Sequence, residues 1–374
     1  MSIEIRRVES RRELRSFINF PLGLQKNYPN WVPALYVDEM NTLDRKKNPA
    51  FEFCEAEYWL AYKDGKLAGR IAGLINRRVI EKWGKKSARF GWMDFIEDYE
   101  VAEALVKTVE AWALAKGMDF VNGPMGFTDL DKEGLLIEGF DELGTMPMIY
   151  NPPYYPVFLE RLGYAKDIDW LEFEVKVPDS IPEKAKRIQN LIAQRSGIHL
   201  YEWKTPRELK EKYAKALFDL VDQAYAHLYG TSPLSERQID AYISQYLGFA
   251  DPRFIKVVVD KEDKLVAFGI SIPDLSKALQ KGRGRLFPFG WYHLLRALKK
   301  PTTIDFLLIA VQPQTTARGA VAFLMSSLIE SCIQAGVKKA ETSGELETNH
   351  QVQSLWNDFE HRQHKRRRAY LKKL

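Results

Sequence analysis

The chain restarts itself part-way along. Ile3 and Leu14 belong to an alternating apolar stretch and the helical stretch after it, and they recur as Ile198 and Leu209, an offset of 195. Lys66 and Leu67, in the charged turn that follows Tyr62, recur as Lys264 and Leu265 at 198. Leu105, Val109 and Gly117 recur as Leu324, Leu328 and Gly336 at 219, and Asn151 and Phe158 answer to Asn349 and Trp356 at 198. Ordered matches of this kind constrain the fold more than any single motif, because each repeat must present its apolar faces in the same order. The drift from 198 to 219 and back places about 21 extra residues in each half. They fall between Gly123 and Asn151 in the first half and around Asp274 to Pro301 in the second.

Each unit reads as a strand, helices, a β-hairpin, a strand, a helix, a strand, a helix and a closing strand. The hairpins carry polar tight turns between apolar runs. The helices 101–116 and 319–335 carry apolar residues at helical spacing and stop at Gly117 and Gly336. That order predicts an α/β fold of two tandem domains, each a mixed, mostly antiparallel twisted sheet flanked by helices. We divide the chain into a first domain at 1–177, a connecting segment and helix at 178–197, and a second domain at 198–374. Pro178 and Pro182 mark the join.

A length of 374 residues with 45% hydrophobic and 12% aromatic content fits two globular cores. The net charge of +5 gathers largely near the C-terminus and does not point to nucleic acid. His361 to Arg368 aligns with the closing strand of the first half and reads as a charged edge strand. Cys54 and Cys332 lie far apart in apolar or helical contexts, which indicates buried thiols rather than a disulfide or metal site. No run approaches the roughly 18 apolar residues of a membrane span, so a cytoplasmic protein without a transmembrane segment is expected. Composition leaves the oligomeric state open.

The chemistry is sought at the strand 303–312, the loop Gln314 to Ala320 and the helix behind it. A helix start offers unpaired amides and the positive end of the helix dipole, a seat for a pyrophosphate. The strand–loop–helix–strand order and the loop, with Gln314, Ala317 and Gly319 at its characteristic places, resemble the acyl-CoA-binding motif of the GNAT acyltransferase superfamily. Ala317 stands where the family usually has glycine. The resemblance implies acetyl-CoA or a longer acyl-CoA as cosubstrate, held by Val311, Gln312, Gln314, Thr315, Thr316, Ala317, Arg318, Gly319 and Ala320.

The first half is richer in motifs. Tyr28-Pro-Asn-Trp-Val-Pro33, Phe90-Gly-Trp-Met-Asp-Phe95, Gly134-Leu-Leu-Ile-Glu-Gly-Phe-Asp141 and Tyr150-Asn-Pro-Pro-Tyr-Tyr155 resemble a bacterial family of GNAT-like proteins. That family implies the tandem fold and supplies no reaction. This chain departs from it after Gly69-Arg70, with Asn76-Arg77 in place of a His-Asn pair. The aperiodic stretch from Gly123 to Asn151 is long enough to be a lid or site wall. Its carboxylates Asp129, Asp131, Glu133, Glu138, Asp141 and Glu142 suit a cationic amine or simple solvation, without the spacing of an EF-hand. In GNAT enzymes a tyrosine near the following helix protonates the departing thiolate, so Tyr154 and Tyr155 are candidate catalytic residues, with Asn151 and its counterpart Asn349 beside them. Glu345, Glu347 and His350 are the nearest bases in the second half. The matching loop of the first half holds Glu97, Asp98 and Glu100, which would repel a pyrophosphate.

The leading expectation is an acyl-CoA-dependent N-acyltransferase acting on a small-molecule or peptide amine. One alternative is a catalytically lapsed acyltransferase fold that binds an acidic metabolite, peptide or lipid. The other is a Fem-type aminoacyl transferase, whose coiled-coil arm is not evident here.

Overall fold

The computed structural model describes residues 2–181, 183–246, 251–312 and 317–374. The first half runs β1 (Ile3–Arg7), α1 (Arg11–Leu24), α2 (Tyr36–Thr42), β2 (Cys54–Lys63), β3 (Lys66–Asn76), α3 (Arg77–Trp83), β4 (Ser87–Phe95), α4 (Tyr99–Ala115), β5 (Phe120–Gly123), β6 (Leu135–Glu138), α5 (Tyr154–Arg161) and β7 (Ala165–Lys176). The second runs α6 (Glu183–Ser196), β8 (His199–Leu200), α7 (Pro206–Tyr225), α8 (Glu236–Tyr246), β9 (Ile255–Val259), β10 (Leu265–Pro273), α9 (Ser276–Gly282), α10 (Gly290–Lys299), β11 (Thr303–Val311), α11 (Ala317–Ala335), β12 (Lys339–Thr342), β13 (Glu345–Leu346), α12 (His350–Gln353) and β14 (His361–Lys373). Both halves carry the predicted order of elements. The residues added in the second half form α9 and α10, and those added in the first supply β6.

Local chemistry sets the main boundaries. Ser10 and Glu13 form a reciprocal capping box at the start of α1, and Thr205 caps α7 by accepting the Glu208 N–H. Asp98 caps α4 by accepting the N–H groups of Glu100 and Val101. One of the three acidic residues at this helix start is therefore already the helix's own anion. Past the ends of α4 and α11, Gly117 and Gly336 take φ of 76° and 77°, a left-handed conformation that costs glycine little.

Among the described residues fourteen strands form one sheet, with the order β1-β2-β3-β4-β5-β14-β7-β12-β11-β10-β9-β8; β6 pairs with β14 and β13 with β7. The parallel pairs are β4 with β5 and β11 with β12, each crossed over by a helix, α4 or α11. The final strands are exchanged. β14, from the end of the chain, lies against β5 of the first half, while β7 of the first half lies against β12 of the second, and the two pair with each other along most of their length.

This placement corrects the reading of the basic tail as an edge strand. The sheet's edges are β1 and β8, and the tail is interior. Its charges are neutralised largely by carboxylates of β7 that the exchange brings alongside it, with Glu341 of β12 as a further partner. Arg367 and Glu172 pair with both side chains fully buried, Lys365 reaches Glu341 at 3.1 Å, and Arg366 and Arg368 grip Asp169 at 2.7 and 2.8 Å.

Each half has a core on both faces of the sheet. In the first, Val101, Leu105 and Val109 of α4 pack on one face, and Phe17 and Ile18 of α1 on the other. In the second, Leu324 and Leu328 of α11 and Leu217 and Val221 of α7 do the same. Among the described residues no helix is long and apolar enough to cross a membrane.

Candidate functional site

The two parallel strand pairs do not stay paired. β4 and β5 match from Ser87 with Phe120 to Arg89 with Asn122, and β11 and β12 from Thr303 with Lys339 to Phe306 with Thr342, after which each pair separates. The third-to-fourth strand ladder is irregular near each parting, between Arg70 and Ala72 in the first half and between Ile270 and Ser271 in the second. Both seams open into one cavity of about 490 Å³ between the halves. Met93, Asp94, Pro124 and Met125 line it from the first seam, and Leu307, Leu308, Ile309, Ser343, Gly344 and Glu345 from the second. Helix α7 closes one side with Leu217, Val221 and Tyr225. The exposed surface of the wall is mainly aliphatic and aromatic, interrupted by charged and polar side chains that include Arg70, Asp94, Asp129, Asp131, Lys132 and Glu345.

Those polar groups have unusual environments. Glu345, 8% exposed, accepts the Trp356 Nε1–H on Oε1 at 2.8 Å, and its Oε2 makes no hydrogen bond among the described residues. Burial pushes its carboxyl up to about 7. Tyr225 bridges the open edge of β11: its hydroxyl donates to the Ile309 carbonyl at 2.8 Å and accepts the Ile309 N–H at 3.3 Å. Burial, with the charges of Asp129 and Glu345, raises its phenol to about 12. The open edge of β11 at this seam is thus covered by a phenol rather than left as a bare peptide N–H and carbonyl.

The stretch between Gly123 and Asn151 is a wall of the site, as its aperiodicity indicates. Asp129, Asp131 and Glu133 line the cavity. Burial raises Asp129 and Asp131 to about 6 and Glu133 well above the carboxylate range. Glu142 instead pairs with Arg362 at 2.6 Å. Among the described residues no three His, Cys, Asp or Glu side chains are grouped to hold a metal ion.

The sequence-predicted residues divide. Asn349 lines the cavity and caps α12 through the Val352 N–H. Asn151 is buried elsewhere, its side chain holding both the N–H and the carbonyl of Leu136. Tyr155 is fully buried, stacked on Phe95 at 4.2 Å, and accepts the Phe95 N–H at 2.9 Å; Tyr154 donates to the Phe95 carbonyl at 2.7 Å. These two phenols cap the end of β4 and do not line the cavity. Of the expected coenzyme contacts, Gln314, Thr315 and Thr316 lie outside the described residues. Val311 ends β11, the Gln312 N–H is taken by the Val266 carbonyl, and α11 begins at Ala317, two residues before the expected Gly319. At Gly319 a Cβ would stand 2.9 Å from the Ile192 side chain of α6, so close helix packing is by itself a reason for glycine there. Tyr225 was missed, because nothing near it in sequence marks it.

No family model matches the chain. It is 27% identical over 377 residues to Protein YghO of Escherichia coli (strain K12), covering 99% of this chain and 95% of that protein. It is also 27% identical to the bacterial ceramide synthase of Caulobacter vibrioides (strain NA1000 / CB15N), covering 98% and 96%. Among solved structures, a tandem GNAT protein from the clavulanic acid biosynthesis pathway superposes over 100% of this chain and 98% of its own, with a TM-score of 0.59 at 14% identity. This chain has the tandem GNAT fold. The parted β4–β5 and β11–β12 pairs are thus the two seams of a tandem GNAT fold, turned toward a single cavity.

Proposed function

We propose that this tandem GNAT-like protein is an acyl-CoA-dependent N-acyltransferase that works in the cavity between its halves. The observation that carries the reading is Glu345, a carboxyl with a pKa near neutrality and one unpartnered oxygen, at the second seam of a cavity whose surface is mainly apolar. The acyl-CoA enters at the second half, its diphosphate at the start of α11 beside Val311, Gln312 and the segment Gln314 to Ala320. The second half is favoured because the first-half helix start is capped by Asp98 and flanked by Glu97 and Glu100.

In this reading Glu345 takes a proton from the attacking amine as nitrogen bonds to the thioester carbonyl carbon. The C–S bond then breaks, and the sulfur acquires the proton held by Glu345; the Tyr225 O–H turns from the Ile309 carbonyl to the departing sulfur as it leaves. Amide and thiol are the products, with no net proton change. Glu345 thereby takes the proton-donating part expected of Tyr154 and Tyr155, with Tyr225 and Asn349 lining the same cavity. The acceptor is a small-molecule amine with a long aliphatic portion. The mainly apolar wall supports that class, as does the name of one relative, a ceramide synthase, since a ceramide is an amide of a long-chain amino alcohol.

Titration calorimetry with acetyl-CoA and a long-chain acyl-CoA, followed by turnover with a long-chain amino alcohol, tests the proposal. Tighter binding of the longer donor and amide formation are expected. Absence of heat at about millimolar donor would end it, since that corresponds to less than about 4 kcal/mol of binding.

A further inference from the structure

Among the described residues, five of the ten exposed large hydrophobic side chains fall within a nine-residue span: Phe287, Phe289, Trp291, Tyr292 and Leu295. Phe287 and Phe289 are 79% and 69% exposed, and so large a contiguous apolar patch marks an interaction surface. The same segment is strongly basic. Between Asp274 and Asp305 there are seven lysines and arginines and no carboxylate side chain.

The α9–α10 hairpin organises these residues. Leu275, Ala278, Leu279 and Leu294 pack inward against Val32 and Leu35. At helical spacing, Trp291, Tyr292, Leu295, Arg296 and Lys299 then fall on the outward side of α10. Aromatic rings with a basic fringe are the composition that enters the headgroup region of a bilayer. A protein partner would call for shape complementarity, whereas an anionic lipid surface needs only apolar tips and spread positive charge.

The hairpin also stands at the mouth of the cavity. Arg283 is exposed and lines the cavity, and the Tyr36 N–H donates to the Gly284 carbonyl at 2.8 Å, which ties the hairpin to the cavity wall. We propose that the α9–α10 hairpin docks this protein on an anionic membrane surface, with the aromatic side chains in the headgroup layer and the cavity mouth facing the bilayer. This docking stands apart from acyl transfer and is tested without an acyl donor.

The full-length protein is floated with vesicles of phosphatidylglycerol and phosphatidylethanolamine and, in parallel, of phosphatidylcholine alone. It is expected to float with the anionic vesicles at low salt and to be released by added salt. The triple variant F287S/F289S/W291S and the charge variant K281E/K299E/K300E should each lower the bound fraction by about tenfold or more, with the circular dichroism of the parent retained. Failure of the parent to float, or flotation that neither variant reduces, overturns the proposal. So does a concentration-dependent dimer, seen by light scattering, that the aromatic variant abolishes in a protein that ignores vesicles; that result assigns the face to a second copy of the chain.

Discussion

Glu345 and Tyr225 are the two side chains whose chemistry is most directly open to test. Glu345→Gln keeps the shape and the Trp356 hydrogen bond but cannot accept a proton, so the acylation rate should fall by about 10²-fold. In the parent the rate should climb as pH rises through about 7, where the carboxyl deprotonates, and a pH–rate profile should show that limb missing from the variant. Tyr225→Phe should lower kcat by about tenfold or more while leaving donor affinity, read by calorimetry, close to the parent. Tyr155→Phe, by contrast, should act on stability, because its hydroxyl serves the Phe95 backbone. The raised carboxyls have a further consequence. Asp129, Asp131 and Glu345 hold protons more tightly folded than unfolded, so their contribution to stability is complete below the ordinary carboxylate range and is lost as pH rises through about 6 to 7. Urea denaturation of Asp129→Asn should therefore show a smaller loss of stability between about pH 5 and about pH 8 than the parent shows.

At the scale of elements, β14 decides the most. It is the strand that joins β5 to β7, and it brings four consecutive cations, Lys365 to Arg368, into contact with Glu172, Glu341 and Asp169. Arg367→Ala leaves the buried Glu172 carboxylate with only Lys365, 3.6 Å away, and should cost up to about 3–5 kcal/mol in chemical denaturation. The double variant Arg367→Met with Glu172→Met removes both charges and should recover most of that loss. Recovery no better than the single variant would mean that the pair is more than a mutual neutralisation. The helices were legible one at a time: the spacing of Leu105 and Val109, and of Leu324 and Leu328, marks their buried faces, and Gly117 and Gly336 mark their ends. The tail was legible only as a strand, since a run such as Lys-Arg-Arg-Arg reads as solvated until its partners are known.

Across the whole molecule the exchange of last strands makes the halves interdependent. The first 177 residues alone would lack the strand against β5, and residues 198–374 alone would lack the strand against β12. Each expressed separately should be insoluble or loosely folded, while the full chain should unfold in one calorimetric transition with agreement between calorimetric and van 't Hoff enthalpies. The same arrangement turns both seams toward one cavity, so a ligand there touches both halves at once.

What the sequence determined by itself is the local and the repeated: two α/β units in the same order, their hairpins, their amphipathic helices and the glycine stops. Each of these is dictated within a dozen residues by periodicity, capping and turn chemistry. The tertiary structure alone decided which strand completes which half, why a basic tail lies in the interior, and that Tyr225 and Glu345 meet one cavity while Tyr154 and Tyr155 do not. Those outcomes depend on groups far apart in the chain. Strand pairing and the pKa of a buried carboxyl follow from which surfaces lose water together, and no local stretch encodes that.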